Sequence, residues 1–341
     1  MRTLALIFVA LVLAGCGGSG SGSSGTNSGV LVGAGSTFVY PLVTKWIQDY
    51  AEKKGVTITY GPIGSGGGVE QITNRTVDFG ASDAPLTPDQ ASACKNCLQI
   101  PWALAGTSIP YNVPGAPKHL KLTGPVIADM FLGKIKNWND PAIAKLNPGA
   151  KLPALQVTPV HRSDSSGTTF NFTDYLAHVS PEWKSKVGTG TSVNFPTGTG
   201  AKGSSGVAAA VQSAKGAIAY VDAAYSIQNG FTYASVQNRA GQFRLPDRGA
   251  VAAAAATVTT VPPDNAISIV DPPASAPAAY PISTFTYAIV PLKSPKGDLL
   301  KPFLTYAIGP GQQFGADLEF ARLPSRVIAA NKATIAKITK G

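Results

Sequence analysis

The run His161-Arg162-Ser163-Asp164-Ser165-Ser166-Gly167-Thr168-Thr169-Phe170 constrains the fold most. It follows the β-prone residues 155–160 and leads into residues 170–178, where Phe172, Leu176 and Val179 recur at helical spacing. The run therefore reads as strand, tight turn, helix start. The first N–H groups of a helix have no partner within it, and small hydroxyl residues with one glycine let an anion approach them. Arg162, six residues before Thr168, adds a full charge and a two-pronged donor. An ordinary N-cap has the same local pattern, because Ser and Thr are favoured caps. The rest of the chain has to separate a cap from an anion site.

The same order recurs upstream. Residues 30–35 are a short apolar strand ending Gly33-Ala34-Gly35, followed by Ser36-Thr37-Phe38 and a helical run over 39–53. Pro41 sits in its first turn, where proline is tolerated. Residues 56–60 alternate as a strand; a run from Gly61 to Gly68, containing Ser65, then precedes a helical run over 69–74. Glycine there permits close backbone approach, and the absence of a Gly-Lys-Ser/Thr ending excludes a Walker loop. Residues 77–81 form a buried-type strand, and Asp83 lies at its exit, where α/β folds place ligand groups. Gly203-Ser204-Ser205-Gly206 before residues 207–212 is a further helix start of this kind, given less weight because no strand signal immediately precedes it.

Helical patterns also cover 125–132, 299–308, 311–319 and 325–338, with a start at Asp140-Pro141. Residues 217–221 and 283–290 read as strands. Strands alternating with helices predict an α/β chain. Residues 238–277, rich in Ala, Pro and Val, predict irregular structure with a helix around Val251.

The N-terminus predicts export. Arg2 precedes an apolar run over 4–13 that is too short to span a membrane. Leu13-Ala14-Gly15-Cys16 resembles the lipobox of bacterial lipoproteins, which implies a signal peptide over 1–15 and a lipid on the Cys16 thiol. Residues 16–29, almost all Gly and Ser after the cysteine, are a flexible tether. The formal charge of +10 suits an anionic partner, while export argues against nucleic acid. Cys94 and Cys97 admit a small disulfide, a redox pair or half a zinc site. His119, His161 and His178 are too far apart in sequence to complete a zinc site, and an exported chain meets oxidants, so the disulfide is the reading adopted.

The collected chemistry is Thr37, Ser65 and the Ser166–Thr168 run at helix starts, Arg162 for charge, and two carboxylates. Asp164, two residues from Arg162, can hold the guanidinium. Asp83 is more telling. An ionised carboxylate only accepts hydrogen bonds, so it can face an anion only if that anion brings a proton. Phosphate near neutral pH keeps one; sulfate keeps none. On this reading Asp83 favours phosphate and repels sulfate; the competing reading is a surface N-cap before Ala84-Pro85.

At these residues the chain resembles the phosphate-binding subunit of the high-affinity phosphate ABC transporter, the PstS type of periplasmic binding protein. The resemblance is carried by Gly33 to Phe38, Gly61 to Ile72, Val77 to Pro85 and Arg162 to Thr168, with lesser matches at Gly133 to Trp138, Leu146 to Gly149, Val187 to Gly190 and Tyr280 to Ser283. It implies a type II periplasmic-binding-protein fold: two α/β lobes on a two-strand hinge, closing on phosphate. The lobes are expected at 30–103 with 281–341, and at 104–280. It further implies phosphate contacts from Thr37, Phe38 (through its N–H), Ser65, Asp83, Arg162, Ser166, Gly167 and Thr168, with Asp164 pairing the arginine. The implied partners are inorganic phosphate and the membrane permease with its ATPase; no cofactor or metal is implied, and the protein is expected to be monomeric. Ser165 stands where the family has a glycine, and Cys94–Cys97 lies outside the pattern.

Two other classes compete. A receptor for another oxyanion, or a phosphate sensor, is set against the proton-accepting role of Asp83. A phosphate-ester or acyl hydrolase has little support: Gly-x-Ser-x-Gly is absent, and His161 near Ser166 is the only histidine beside these hydroxyls.

Overall fold

The computed structural model describes residues 29–341. The export signal, the Cys16 lipidation site and most of the tether lie outside the described residues. The chain opens with β1 (Val30–Gly35), α1 (Tyr40–Lys54), β2 (Thr57–Gly61), α2 (Ser65–Thr73), β3 (Phe79–Ser82), α3 (Pro88–Ala93) and β4 (Cys97–Ser108). It continues through β5 (Pro110–Tyr111), β6 (Lys121–Leu122), α4 (Gly124–Phe131), α5 (Pro141–Leu146), β7 (Thr158–Arg162), α6 (Gly167–Val179) and α7 (Pro181–Lys186). Next come β8 (Thr199–Ala201), α8 (Gly203–Ser213), β9 (Ala217–Ala219), β10 (Val221–Asp222), α9 (Ala223–Gln228), β11 (Thr232–Tyr233), β12 (Ser235–Gln237), β13 (Phe243–Arg244) and α10 (Arg248–Ala255). It returns through β14 (Ser283–Pro291), β15 (Lys293–Ser294), α11 (Gly297–Ala307), a 3₁₀ helix (Pro310–Leu318), α12 (Ser325–Ala336) and β16 (Thr339–Lys340).

Two main sheets organise two lobes. The first has strand order β10-β4-β14-β3-β1-β2 and the second β11-β5-β9-β7-β8. β1 pairs in parallel with both β2 and β3, so the loops leaving β1 and β3 emerge at the same edge. β7 likewise lies parallel between β8 and β9. Helix starts collect at these strand exits, where α/β sheets place ligand groups.

The first core packs Trp46, Phe79, Trp102 and Phe303 beneath α1 and α11, and the second packs Phe131, Trp138, Phe172 and Trp183. Fully burying each such side chain stabilises its lobe by about 1.5–3 kcal/mol. β4 and β14 form the two-strand connection, paired antiparallel from Ser283↔Gly106 to Pro291↔Cys97 with one register shift at Thr286/Tyr287. Ala105 belongs to the first core and Ile109 to the second, so the chain crosses after β4. On the return, Ile282 belongs to the second core and Phe285 to the first.

One sequence expectation needs correction here. Residues 248–280 were expected wholly within the second lobe, yet Val251, Ala254, Ala255, Val258, Ile267 and Ile269 pack in the first core. The helix expected around Val251 is α10; its small apolar face covers β4 across the lobe boundary. Residues 97–108, assigned no element from sequence, form the single strand β4, buried from Gln99 onward. Covered on both faces, that strand has no alternation to reveal it. Cys94 and Cys97 are joined, with S–S 2.00 Å, and the Arg75 guanidinium donates to the Cys94 carbonyl at 2.7 Å.

Candidate functional site

In the first lobe, β1 delivers Ser36 and Thr37 to the start of α1. Ser36, wholly buried, donates its hydroxyl to Asp83 Oδ1 and accepts the N–H groups of Phe38 at 3.0 Å and Val39 at 3.3 Å. It thereby ties the α1 start to the β3 exit. The Phe38 N–H, expected to face the anion, is thus engaged by Ser36. Ser36 is a site residue that sequence reasoning left unassigned; its place between Gly35 and Thr37 was its signal.

α2 begins at Ser65, four residues earlier than the helical run expected from Val69. Glycines at 66, 67 and 68 are poor helix formers, which hid the start. The structure supplies the reason for Gly68: a Cβ there would lie 2.5 Å from Gly35 Cα and 2.8 Å from the carbonyls of Ala34 and Ala81. The helix lies backbone against backbone on β1 and β3, and this approach positions Ser65 over Asp83. Ser65 Oγ donates to Asp83 Oδ2 at 3.3 Å and accepts the Asp83 N–H at 3.2 Å.

Asp83 is 1% exposed. Burial pushes its pKa up to about 6, against the opposing hydrogen bonds from Ser36 and Ser65 and the Arg162 charge. Its carbonyl accepts from Asn171 Nδ2 on α6 at 3.1 Å and from Thr284 Oγ1 on β14 at 3.3 Å, so the residue is held from three elements.

In the second lobe, Arg162 ends β7. Its Nε and Nη2 clamp Asp164 at 2.7 and 2.5 Å, a bidentate pair, and its backbone N–H donates to the Tyr220 hydroxyl at 3.0 Å. The guanidinium and a Gly203 N–H bond at 3.0 Å hold the Asp164 carboxyl below its usual range, against the effect of burial. Ser166 caps α6, its Oγ accepting the Thr169 N–H at 3.2 Å. Thr168 is 1% exposed and its Oγ1 has no partner. Buried hydroxyls are nearly always hydrogen-bonded, so the Thr168 hydroxyl keeps a hydrogen bond to give among the described residues.

The two halves meet. The Gly66 N–H donates to the Ser165 carbonyl at 3.0 Å, and Thr37 Oγ1 lies 2.8 Å from Ser204 Oγ. A Cβ on Gly167 would lie 2.7 Å from Asp83 Cβ and N. Thus the first turn of α6, with Arg162, is brought against Asp83, Ser65 and Thr37. Ser204 was underweighted in the sequence: β8 does precede α8, but its three residues, Thr199-Gly200-Ala201, carry no strand signal. His161 stacks on Phe195 with ring centroids 4.3 Å apart, and its Nδ1 meets the Arg162 carbonyl. The ring is thereby committed to packing, contrary to the hydrolase reading.

Two α/β lobes on a paired-strand connection, closing an arginine, an accept-only carboxylate and a helix start against one another, define a two-lobed solute-binding protein. The chain matches the PBP superfamily domain over residues 20–310. It is 43% identical over 310 residues to the phosphate-binding protein PstS of Xylella fastidiosa (strain Temecula1), covering 89% of this chain and 84% of that one. It is 42% identical over 309 residues to the phosphate-binding protein PstS of Pasteurella multocida, covering 89% of both. Its fold resembles the crystal structure of the phosphate-binding protein from Stenotrophomonas maltophilia, with TM-score 0.71 and 21% identity over 89% of this chain and 93% of that one. The chain belongs to the PstS family of phosphate-binding proteins.

Proposed function

We propose that the protein captures inorganic phosphate outside the cytoplasm and delivers it to the permease of an ABC transporter, with no covalent chemistry. The observation that carries the reading is Asp83: a buried carboxylate, already accepting from two serine hydroxyls, set in the field of Arg162. A monoprotonated or diprotonated phosphate offers it a P–OH donor. Thr37, Ser65 and Thr168 offer hydroxyls, the first N–H groups of α6 offer dipoles, and Arg162 offers its charge. Ser166 and Gly167 contribute at the same helix start. Asp164 offsets part of the Arg162 charge, so neutral donors share the anion with the guanidinium, and together their hydrogen bonds offset its desolvation. Lobe closure about β4 and β14 buries the ligand, and opening releases it.

The protein reaches its permease as a monomer tethered to the membrane by a lipid on Cys16. Titration calorimetry of the chain without residues 1–28, with phosphate and sulfate in turn, tests the binding reading. Phosphate should bind and sulfate should not; sulfate binding of equal strength sinks the role given to Asp83. Cys16→Ser should move the protein from the membrane to the soluble extracytoplasmic fraction; retention at the membrane refutes the anchor.

A further inference from the structure

Asp222 is a second fully buried carboxyl beside the site, with no role in the account above. It ends β10 and caps α9, its Oδ1 accepting the Tyr225 N–H at 3.1 Å. Its Oδ2 has no hydrogen-bond partner among the described residues. Ser204 on α8 neighbours the Asp222 carboxyl, and a hydrogen bond given by its hydroxyl would favour the ionised form. Thr107 on β4, paired with Asp222 across the strands, also has an unpartnered hydroxyl. The charged or titratable groups facing Asp222 are Asp83 from the β3 exit and Tyr225 from α9, and neither is a cation. Arg162, whose charge reaches Asp83 and Tyr225, is held by Asp164.

Proton counting sets the consequence. Thr37 Oγ1 accepts the Ser204 N–H at 3.2 Å and shares one further hydrogen bond with Ser204 Oγ. That shared bond has two directions. With Asp222 ionised, its carboxylate draws the Ser204 proton; Ser204 must then accept from Thr37, and the Thr37 proton is lost to the ligand. With a proton on Oδ2, Asp222 no longer draws the Ser204 proton and needs only a small shift to donate to Ser204; Ser204 then donates to Thr37, and the Thr37 hydroxyl is left to donate to a phosphate oxygen. We propose that Asp222 is a protonated carboxylic acid which, through Ser204, aims the Thr37 hydroxyl at bound phosphate. Asp222 and Ser204 are positioning residues of the anion site, acting across the lobe boundary. Burial and the neighbouring Asp83 both raise the Asp222 pKa well above the carboxylate range, which agrees with this protonation state.

The inference rests on the phosphate reading. Calorimetry with inorganic phosphate at pH 7, on the chain without residues 1–28, uses the parent, Ser204→Ala, Asp222→Ala and Asp222→Asn. Asp222→Ala and Ser204→Ala should each weaken binding by up to about tenfold, because the Thr37 hydroxyl keeps its proton but loses the line of donors that aims its hydrogen bond at the charged ligand. The double variant Ser204→Ala/Asp222→Ala should be no weaker than Ser204→Ala alone, because both act along one line. Asp222→Asn keeps the acceptor for Tyr225 and places an N–H where Oδ2 carried its proton, so it should recover most of the Asp222→Ala loss. The infrared spectrum of the parent should carry a protonated-carboxyl C=O band that Asp222→Asn lacks. Asp222→Asn as weak as Asp222→Ala, with unchanged thermal unfolding, or no such band, overturns the proposal. A parent that fails to bind phosphate overturns the phosphate reading instead.

Discussion

Gly167, at the first turn of α6 in one lobe, approaches Asp83 of the other so closely that a Cβ would lie 2.7 Å from the Asp83 backbone nitrogen. This contact sets how far the lobes close. Gly167→Ala should leave each lobe folded but hold the cleft ajar, weakening phosphate binding by about tenfold or more. Calorimetry reads the affinity, and small-angle scattering with phosphate should show a larger radius for the variant than for the parent. Equal affinity and equal radius contradict the geometry.

Arg162 is buried and clamps Asp164. Arg162→Ala removes the charge offered to the anion and strands the Asp164 carboxylate. Phosphate affinity should fall at least about 100-fold. Circular dichroism checks that the chain is still folded. Unchanged affinity places the anion elsewhere.

Asp83 links binding to pH. Its folded pKa is about 6, above the ordinary carboxylate value of 3.8, so the folded chain binds more protons than the unfolded chain between these values. Its contribution therefore declines as pH rises from about 4 to 6, by on the order of 3 kcal/mol. Without phosphate, Asp83→Asn should raise the unfolding temperature at pH 7, and the gain should vanish near pH 4. The same variant should narrow the preference for phosphate over sulfate, because an amide no longer repels sulfate. A preference left intact in competition calorimetry removes Asp83 from selectivity.

Adjacent glycines of α2 should respond oppositely. Gly68→Ala forces a Cβ into the backbone of β1 and β3 and should destabilise by about 1–3 kcal/mol. A Cβ on Gly67 would lie 3.0 Å from Cδ1 and 3.1 Å from Cγ1 of Ile63, an exposed side chain free to turn aside, so Gly67→Ala should stabilise by about 0.5–1 kcal/mol through helix propensity. Urea unfolding of both variants distinguishes them; the same sign in both refutes the packing account.

Local patterns in the sequence determined much of this protein. Period and turn chemistry located α1, α6, β3 and β14, because each is an uninterrupted run bounded by Gly, Pro or hydroxyl residues. The accept-only chemistry of Asp83 and the short Arg162–Asp164 spacing were legible for the same reason: they depend on residue type and on neighbours in the chain. The tertiary structure decided whatever depends on residues far apart in sequence. Ser36 became a link only when β1 and β3 paired, and α2 began at Ser65 only because glycines allow its backbone to lie on theirs. Ser204 meets Thr37 across 167 residues, and α10 joins the first core from a stretch without a clear pattern. Periodicity records which face an element buries, not which distant element covers it. Both halves of the anion site, Arg162 to Thr168 and Thr37, Ser65 and Asp83, could therefore be read from the sequence, while the links made by Ser36 and Ser204 and the closeness with which the halves meet came from the packing of two lobes.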